Sequence, residues 1–108
     1  MMIQRDLKKM AIDLSCDDGT LMEIIKEVIE NDLNVYFLIE HLKDSITAKL
    51  KEREQFVNYE KYIYEPILTK DDLKRVSKIL CGLIVSGFIG INFFDKHYSG
   101  DGIELFKI

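Results

Sequence analysis

The sequence predicts one α+β domain over residues 1–108, in which amphipathic helices are followed by a further helix and a C-terminal β-hairpin. Three observations predict this class. Apolar residues recur at helical spacing in the first half of the chain, the run from Ile79 to Phe94 carries no formal charge, and the last six residues alternate between apolar and polar side chains. A chain of 108 residues can also bury a sizeable core without a metal or a disulfide.

Three amphipathic helices are predicted before residue 55. The first spans roughly 2–14, and the second begins at Thr20, which fits a capping box with Glu23. A third begins near Asp32 or Asn34. Its apolar stripe repeats every four residues, at Leu38, Leu42, Ile46 and Leu50. The next segment, 56–68, is rich in aromatic residues and contains a proline, and it fits either a strand or a short helix that ends before that proline.

The pattern is clearest from Thr69 to the end of the chain. Thr69 is a good N-cap, and Asp71 and Asp72 follow in the first turn, where the helix dipole favours negative charge. Apolar residues then recur at helical spacing as far as Ile84, and Gly87 can adopt the left-handed conformation that commonly ends a helix. Strand-forming residues over 88–94, turn residues over 95–102 and a final alternating segment together predict a hairpin.

The uncharged run from Ile79 to Phe94 has three interpretations: a membrane segment, a buried helix, or a helix that breaks and becomes a strand. A membrane span needs about 20 apolar residues. This run is shorter, it contains three glycines, and its start continues an amphipathic pattern. We therefore expect the helix-to-strand junction and no membrane contact.

Composition excludes several functional classes. The two cysteines and two histidines are scattered without the spacing of a metal site, so we expect neither metal nor cofactor. Cys81 is expected to be a small core residue, and His41 to lie on a helix surface. The N-terminal segment lacks the apolar stretch of a secretory signal, which predicts a cytoplasmic protein with reduced thiols. No catalytic signature is present, and the prediction is a binding protein rather than an enzyme.

The stretch LTKDDLKRVSKILCGLIVSGFIGINFFDKHYSGDGIELFKI resembles the C-terminal part of a winged-helix domain. In that family a capped helix is followed by a glycine–phenylalanine–isoleucine step, here Gly87 to Ile89, and then by a two-stranded wing with its tip at 95–102. The resemblance implies duplex DNA as partner and a role in transcription regulation, with the helix in the major groove and the wing on phosphate. The positions it assigns to nucleic-acid binding are Lys70, Lys74, Arg75, Lys78 and Lys96, with Ser77 and His97 beside them. Asp71 and Asp72 would repel phosphate.

An acidic surface is the alternative. Residues 1–59 carry 8 basic and 12 acidic side chains, a net charge of −4, whereas residues 60–108 carry 7 of each. An acidic half can attract a basic protein, as an immunity protein or antitoxin attracts a toxin. The acidic residues that would carry this function are Asp17, Asp18, Glu23, Glu27 and Glu30. The sequence leaves both partners, protein or duplex DNA, open, and it also leaves a homodimer open.

Overall fold

The computed structural model describes residues 8–31, 36–58, 64–93 and 103–108. These residues form three helices and five strands. The helices are α1 (Asp18–Asn31), α2 (Ile39–Glu52) and α3 (Lys70–Val85). The strands are β1 (Lys8–Ala11), β2 (Tyr36–Leu38), β3 (Tyr64–Ile67), β4 (Ile89–Phe93) and β5 (Ile103–Lys107). The mixture of helices and small sheets confirms the predicted α+β class.

The strands form two separate sheets. β1 and β3 pair in parallel, with Lys8 opposite Tyr64 and Ala11 opposite Ile67. The second sheet is antiparallel and has the order β2-β5-β4. Its β4–β5 pair, which brings Ile89 opposite Lys107, is the predicted C-terminal hairpin. The predicted turn at 95–102 lies outside the described residues.

The N-terminal helix predicted over 2–14 is wrong where the structure describes the chain. Lys8–Ala11 form β1, and Met10, expected on a buried helical face, is 46% exposed. The strand forms because β3 offers a pairing partner more than fifty residues along the chain, and such a tertiary contact overrides a local periodicity. Residues 2–7 lie outside the described residues. Within the ambiguous segment 56–68, residues 64–67 form the strand β3. Residues 59–63 of that segment lie outside the described residues.

Helices α1 and α2 begin at residues other than those predicted. In α1 the N-cap is Asp17, whose carboxylate oxygen accepts the backbone N–H of Thr20 at 2.8 Å, and Thr20 already lies within the helix. The expected capping box of Thr20 and Glu23 is therefore wrong, because Asp17 supplies the acceptor one turn earlier. α2 begins at Ile39 rather than near Asp32, because residues 36–38 pair with β5. The buried stripes of both helices lie where the sequence predicts them, except that Leu38 belongs to β2 and is 40% exposed.

The cap and end of α3 are confirmed. The backbone N–H of Asp72 donates to the Thr69 hydroxyl at 3.1 Å, and the Thr69 hydroxyl donates to the Asp72 carboxylate at 3.1 Å. Past the last turn Gly87 has φ 82°, a left-handed conformation that favours glycine. The uncharged run is thus the end of α3 followed by β4. No helix in the described parts of the chain is long and apolar enough to cross a membrane.

One hydrophobic core joins the helices to the antiparallel sheet. Helices α1 and α2 pack together, and α3 packs against α1 and β4. The fully buried residues come from all of these elements: Leu21, Ile25, Ile46, Leu50, Val76, Ile89 and Leu105. This packing leaves the opposite face of α3 exposed to solvent.

Gly90 in β4 lies directly under the ring of Phe106, its partner in β5, and a Cβ at position 90 would overlap that ring. We therefore expect Gly90→Ala to lower the free energy of unfolding by about 1–3 kcal/mol, the usual cost of overpacking. Urea unfolding followed by circular dichroism measures the change.

Gly82 is the matched control, because a Cβ there would meet no atom within 4 Å. Gly82→Ala should raise the free energy of unfolding by about 0.4–1 kcal/mol, since alanine reduces the entropy of the unfolded chain. Equal effects of the two substitutions would contradict the role given to the Phe106 ring.

Candidate nucleic-acid interface

Helix α3 exposes one face along its whole length, and we call this face the α3 crest. Its residues recur every three or four positions and are all exposed: Lys70, Asp71, Lys74, Ser77, Lys78, Cys81, Gly82 and Val85. The opposite face buries Val76, Leu80 and Leu83 in the core. With three lysines and one aspartate, the crest has a formal charge of +2 in a chain of net charge −4.

The three crest lysines form a row along the helix. Lys70, Lys74 and Lys78 are four residues apart and follow one side of the crest. Among the described residues none of the three has an ion-pair partner. Their ammonium groups are therefore available to an anion. Lys96, the fifth predicted nucleic-acid contact, lies outside the described residues.

Arg75 differs from these lysines because its guanidinium contacts three acceptors within the protein. Its Nε donates to Asp18 Oδ1 at 2.8 Å, one terminal nitrogen donates to Asp72 Oδ1 at 2.9 Å, and the other donates to the Cys16 carbonyl at 2.8 Å. Hydrogen bonds to Asp18 and Asp72 raise the pKa of Arg75 above its usual range. The side chain therefore joins α3 to the loop before α1.

Asp72 is the buried centre of the same network, with a side chain only 7% exposed. Its carboxylate accepts the backbone N–H of Leu14 at 2.9 Å, the Thr69 hydroxyl and the Arg75 guanidinium. The N–H donors and the cation compensate the burial of the charge. The carboxylate points into the protein, away from the crest. Of the two aspartates expected to repel phosphate, Asp72 is therefore buried and paired, whereas Asp71 is exposed.

The five acidic residues of the alternative site do not form one free surface. Asp17 caps α1, Asp18 accepts from Arg75, and Glu27 accepts from Arg53 and lies 3.7 Å from the Lys49 ammonium. Glu23 and Glu30 are exposed on α1, seven residues apart. The structure thus joins one residue of each predicted site, Asp18 and Arg75, in a single ion pair.

The remaining candidates contribute little chemistry. Cys81, expected in the core, is exposed, because it follows buried Leu80 by one residue and so lies about 100° around the helix. Burial raises the pKa of the half-buried Cys16 thiol. His41 lies on the surface of α2 as predicted. Within the described ranges, no three histidine, cysteine or acidic residues are grouped so that they could hold a metal ion.

An open groove of about 620 Å³ lies between α2 and β3. Lys43, Lys51, Glu40 and Asp44 of α2 line its helix side, and Pro66 and Ile67 form part of its strand side. Its charged lining is balanced, so it shows no preference for an anion or a cation. The crest has a larger charge bias than the groove.

Sequence reasoning found the crest lysines but missed their apolar neighbours. Val85 is 88% exposed, and together with Cys81 and Gly82 it makes the last part of the crest, beyond Lys78, uncharged. Helical spacing alone predicts that these three residues are exposed, because their positions fall opposite the buried stripe. Comparison of the chain with protein-family models, curated proteins and solved structures gave no match.

The buried carboxylate of Asp72 provides a stability test. We expect Asp72→Ala to lower the free energy of unfolding by about 2–4 kcal/mol, because it leaves the Leu14 N–H without its acceptor and removes one of the three acceptors of the Arg75 guanidinium. Asp71→Ala is the matched control, an exposed carboxylate in the same helical turn, with an expected cost below about 1 kcal/mol. Denaturant unfolding of both variants checks this. Equal losses would contradict the network.

The Asp17 cap makes stability depend on pH. Hydrogen bonds from Thr20 lower the pKa of Asp17 below its ordinary value of 3.8. Because the folded pKa is the lower one, the stabilisation is complete above the unfolded pKa and is lost as pH falls through the folded pKa. Asp17→Asn keeps a capping acceptor that does not titrate. Wild type should therefore lose stability relative to Asp17→Asn below pH 3.8 in urea unfolding, and a constant difference would contradict the prediction.

Proposed function

We propose that this chain is a non-catalytic binding domain that holds duplex DNA on the α3 crest. The observation that carries the proposal is the row of Lys70, Lys74 and Lys78, exposed on one helix face and without ion-pair partners among the described residues. Lysine contacts to phosphate dominate the affinity of proteins for DNA. The proposal needs only this local patch, and it is compatible with a net charge of −4 on the chain.

The orientation of Asp72 supports the proposal. Of the two aspartates at the start of α3, only Asp71 projects from the crest, since the Asp72 carboxylate is buried and bound to Arg75 and Leu14. Removing one carboxylate from the surface leaves the first turn of the helix less repulsive to phosphate than its sequence suggests. Arg75 then acts as a positioning residue that holds Asp72 in place, rather than as a DNA contact.

The order of elements gives further support. A capped helix, α3, is followed by the β4–β5 hairpin, and the third strand of that sheet, β2, lies between α1 and α2 in the chain. This arrangement fits the winged-helix resemblance, in which the hairpin is the wing. The parallel β1–β3 pair is an addition to this winged-helix arrangement. A domain of this kind would act in transcription regulation, with Lys96 as the contact expected from the wing.

The acidic protein-binding surface is the second candidate, and the exposure of Glu23 and Glu30 on α1 favours it. Three of its five residues already have partners: Asp17 with the start of α1, Asp18 with Arg75, and Glu27 with Arg53. A basic partner would therefore depend mainly on the two exposed glutamates.

Charge reversal of the crest tests DNA binding. We expect Lys74→Glu with Lys78→Glu to weaken binding of a short duplex at least about tenfold at low salt, because two phosphate contacts become repulsive. Fluorescence anisotropy of a labelled duplex measures the affinity. Lys43→Glu with Lys51→Glu on α2 is the matched control, with the same change in net charge away from the crest.

Two results would decide against this function. If the wild-type chain binds no duplex at low salt, or if the α2 control weakens binding as much as the crest variant, α3 is not a DNA-binding surface. The second candidate is tested by Glu23→Lys with Glu30→Lys. Loss of a basic partner from that variant, with retention by the crest variant, would favour the acidic surface instead.

A further inference from the structure

We infer that α3 holds duplex DNA through its phosphates without reading the base sequence; this inference rests on the proposed function. Sequence is read by hydrogen bonds to base edges, chiefly from arginine or lysine to guanine and from asparagine or glutamine to adenine. The question is which side chains of α3 have that chemistry and are free to use it.

The arginine of α3 is already occupied. Arg75 has one donor nitrogen on Asp18, one on Asp72 and one on the Cys16 carbonyl, at 2.8–2.9 Å, and its side chain is 28% exposed. A bidentate contact with guanine needs two of these nitrogens. Making it would leave the buried Asp72 carboxylate without its cation, which is costly in a buried site. Arg75 therefore stays with its internal partners.

Apart from its lysines, the crest offers few groups that could read bases. Helix α3, which the structure describes throughout, contains neither asparagine nor glutamine. Ser77, Cys81, Gly82 and Val85 are short, and of these only Ser77 has a hydroxyl to offer a base. The exposed Asp71 could accept from cytosine, but phosphate would repel its carboxylate.

The lysines are suited to phosphate. An ammonium group is a point charge on a flexible stem, and it lacks the rigid fork that makes arginine selective. Three such contacts predict that the logarithm of affinity falls with the logarithm of salt concentration with a slope of about −2.7. Affinity should therefore drop about 40-fold between about 50 mM and about 200 mM salt, and by the same factor for every sequence.

Binding of the wild-type chain to a panel of duplexes of equal length and unrelated sequence tests this inference. We expect affinities within about tenfold of one another, the discrimination of a single base contact. Repeated selection from a randomised duplex library should enrich no consensus. A spread above about tenfold, or an enriched consensus, would overturn the inference while leaving DNA binding intact. Absence of binding to every duplex at low salt would instead overturn the proposed function and this inference with it.

A single substitution gives an independent readout. Lys74→Ala should weaken binding by the same factor on every duplex and make the salt slope shallower by about 1, as loss of one phosphate contact does. Lys43→Ala on α2 is the control and should change neither quantity. A Lys74→Ala effect confined to particular sequences would show that Lys74 reads bases, and it would contradict phosphate-only binding.

Discussion

The buried carboxylate of Asp72 is the interaction on which the arrangement of this protein depends. It accepts hydrogen bonds from the Leu14 backbone, from the Thr69 hydroxyl and from the Arg75 guanidinium. It therefore fixes the loop before α1 against the start of α3 and fixes the position of the Arg75 side chain. An unpaired carboxylate is very costly to bury, and this one is buried only because all of its partners are present. The network orients the helix about its axis, with Asp72 inward and the lysine row outward.

Several acidic side chains of the chain are likewise engaged in internal contacts. Asp17 caps α1 and Asp18 accepts from Arg75. Glu27 contacts two basic residues at the C-terminal end of α2, Arg53 and Lys49. Three of the five acidic residues that the sequence suggests as a binding surface therefore make contacts within the protein. The lysines of α3 have no such partners in the described structure, so the positive crest is a local property that the overall charge hides.

Sequence reasoning succeeded where the signal is local. The stripes of α1 and α3, the Thr69 cap and the left-handed Gly87 all depend on residues a few positions apart, and the predicted hairpin pairs the neighbouring strands β4 and β5. It failed at β1 and β2, because short strands are decided by distant partners rather than by their own periodicity. The candidate site divides in the same way. Exposure of the lysines follows from helical spacing, whereas the pairing of Arg75 with Asp18, 57 residues apart, has no local signal.

The parallel pairing of β1 with β3 has a consequence for how the chain folds. The contacts that anchor the N-terminal segment, such as that between Leu14 and Asp72, span 58 residues, and closing so long a segment has a large entropic cost before any contact forms. During synthesis β1 leaves the ribosome before its partner β3, and Leu14 leaves it before Asp72. Among the described strands, β1 is thus expected to be one of the last to acquire its structure.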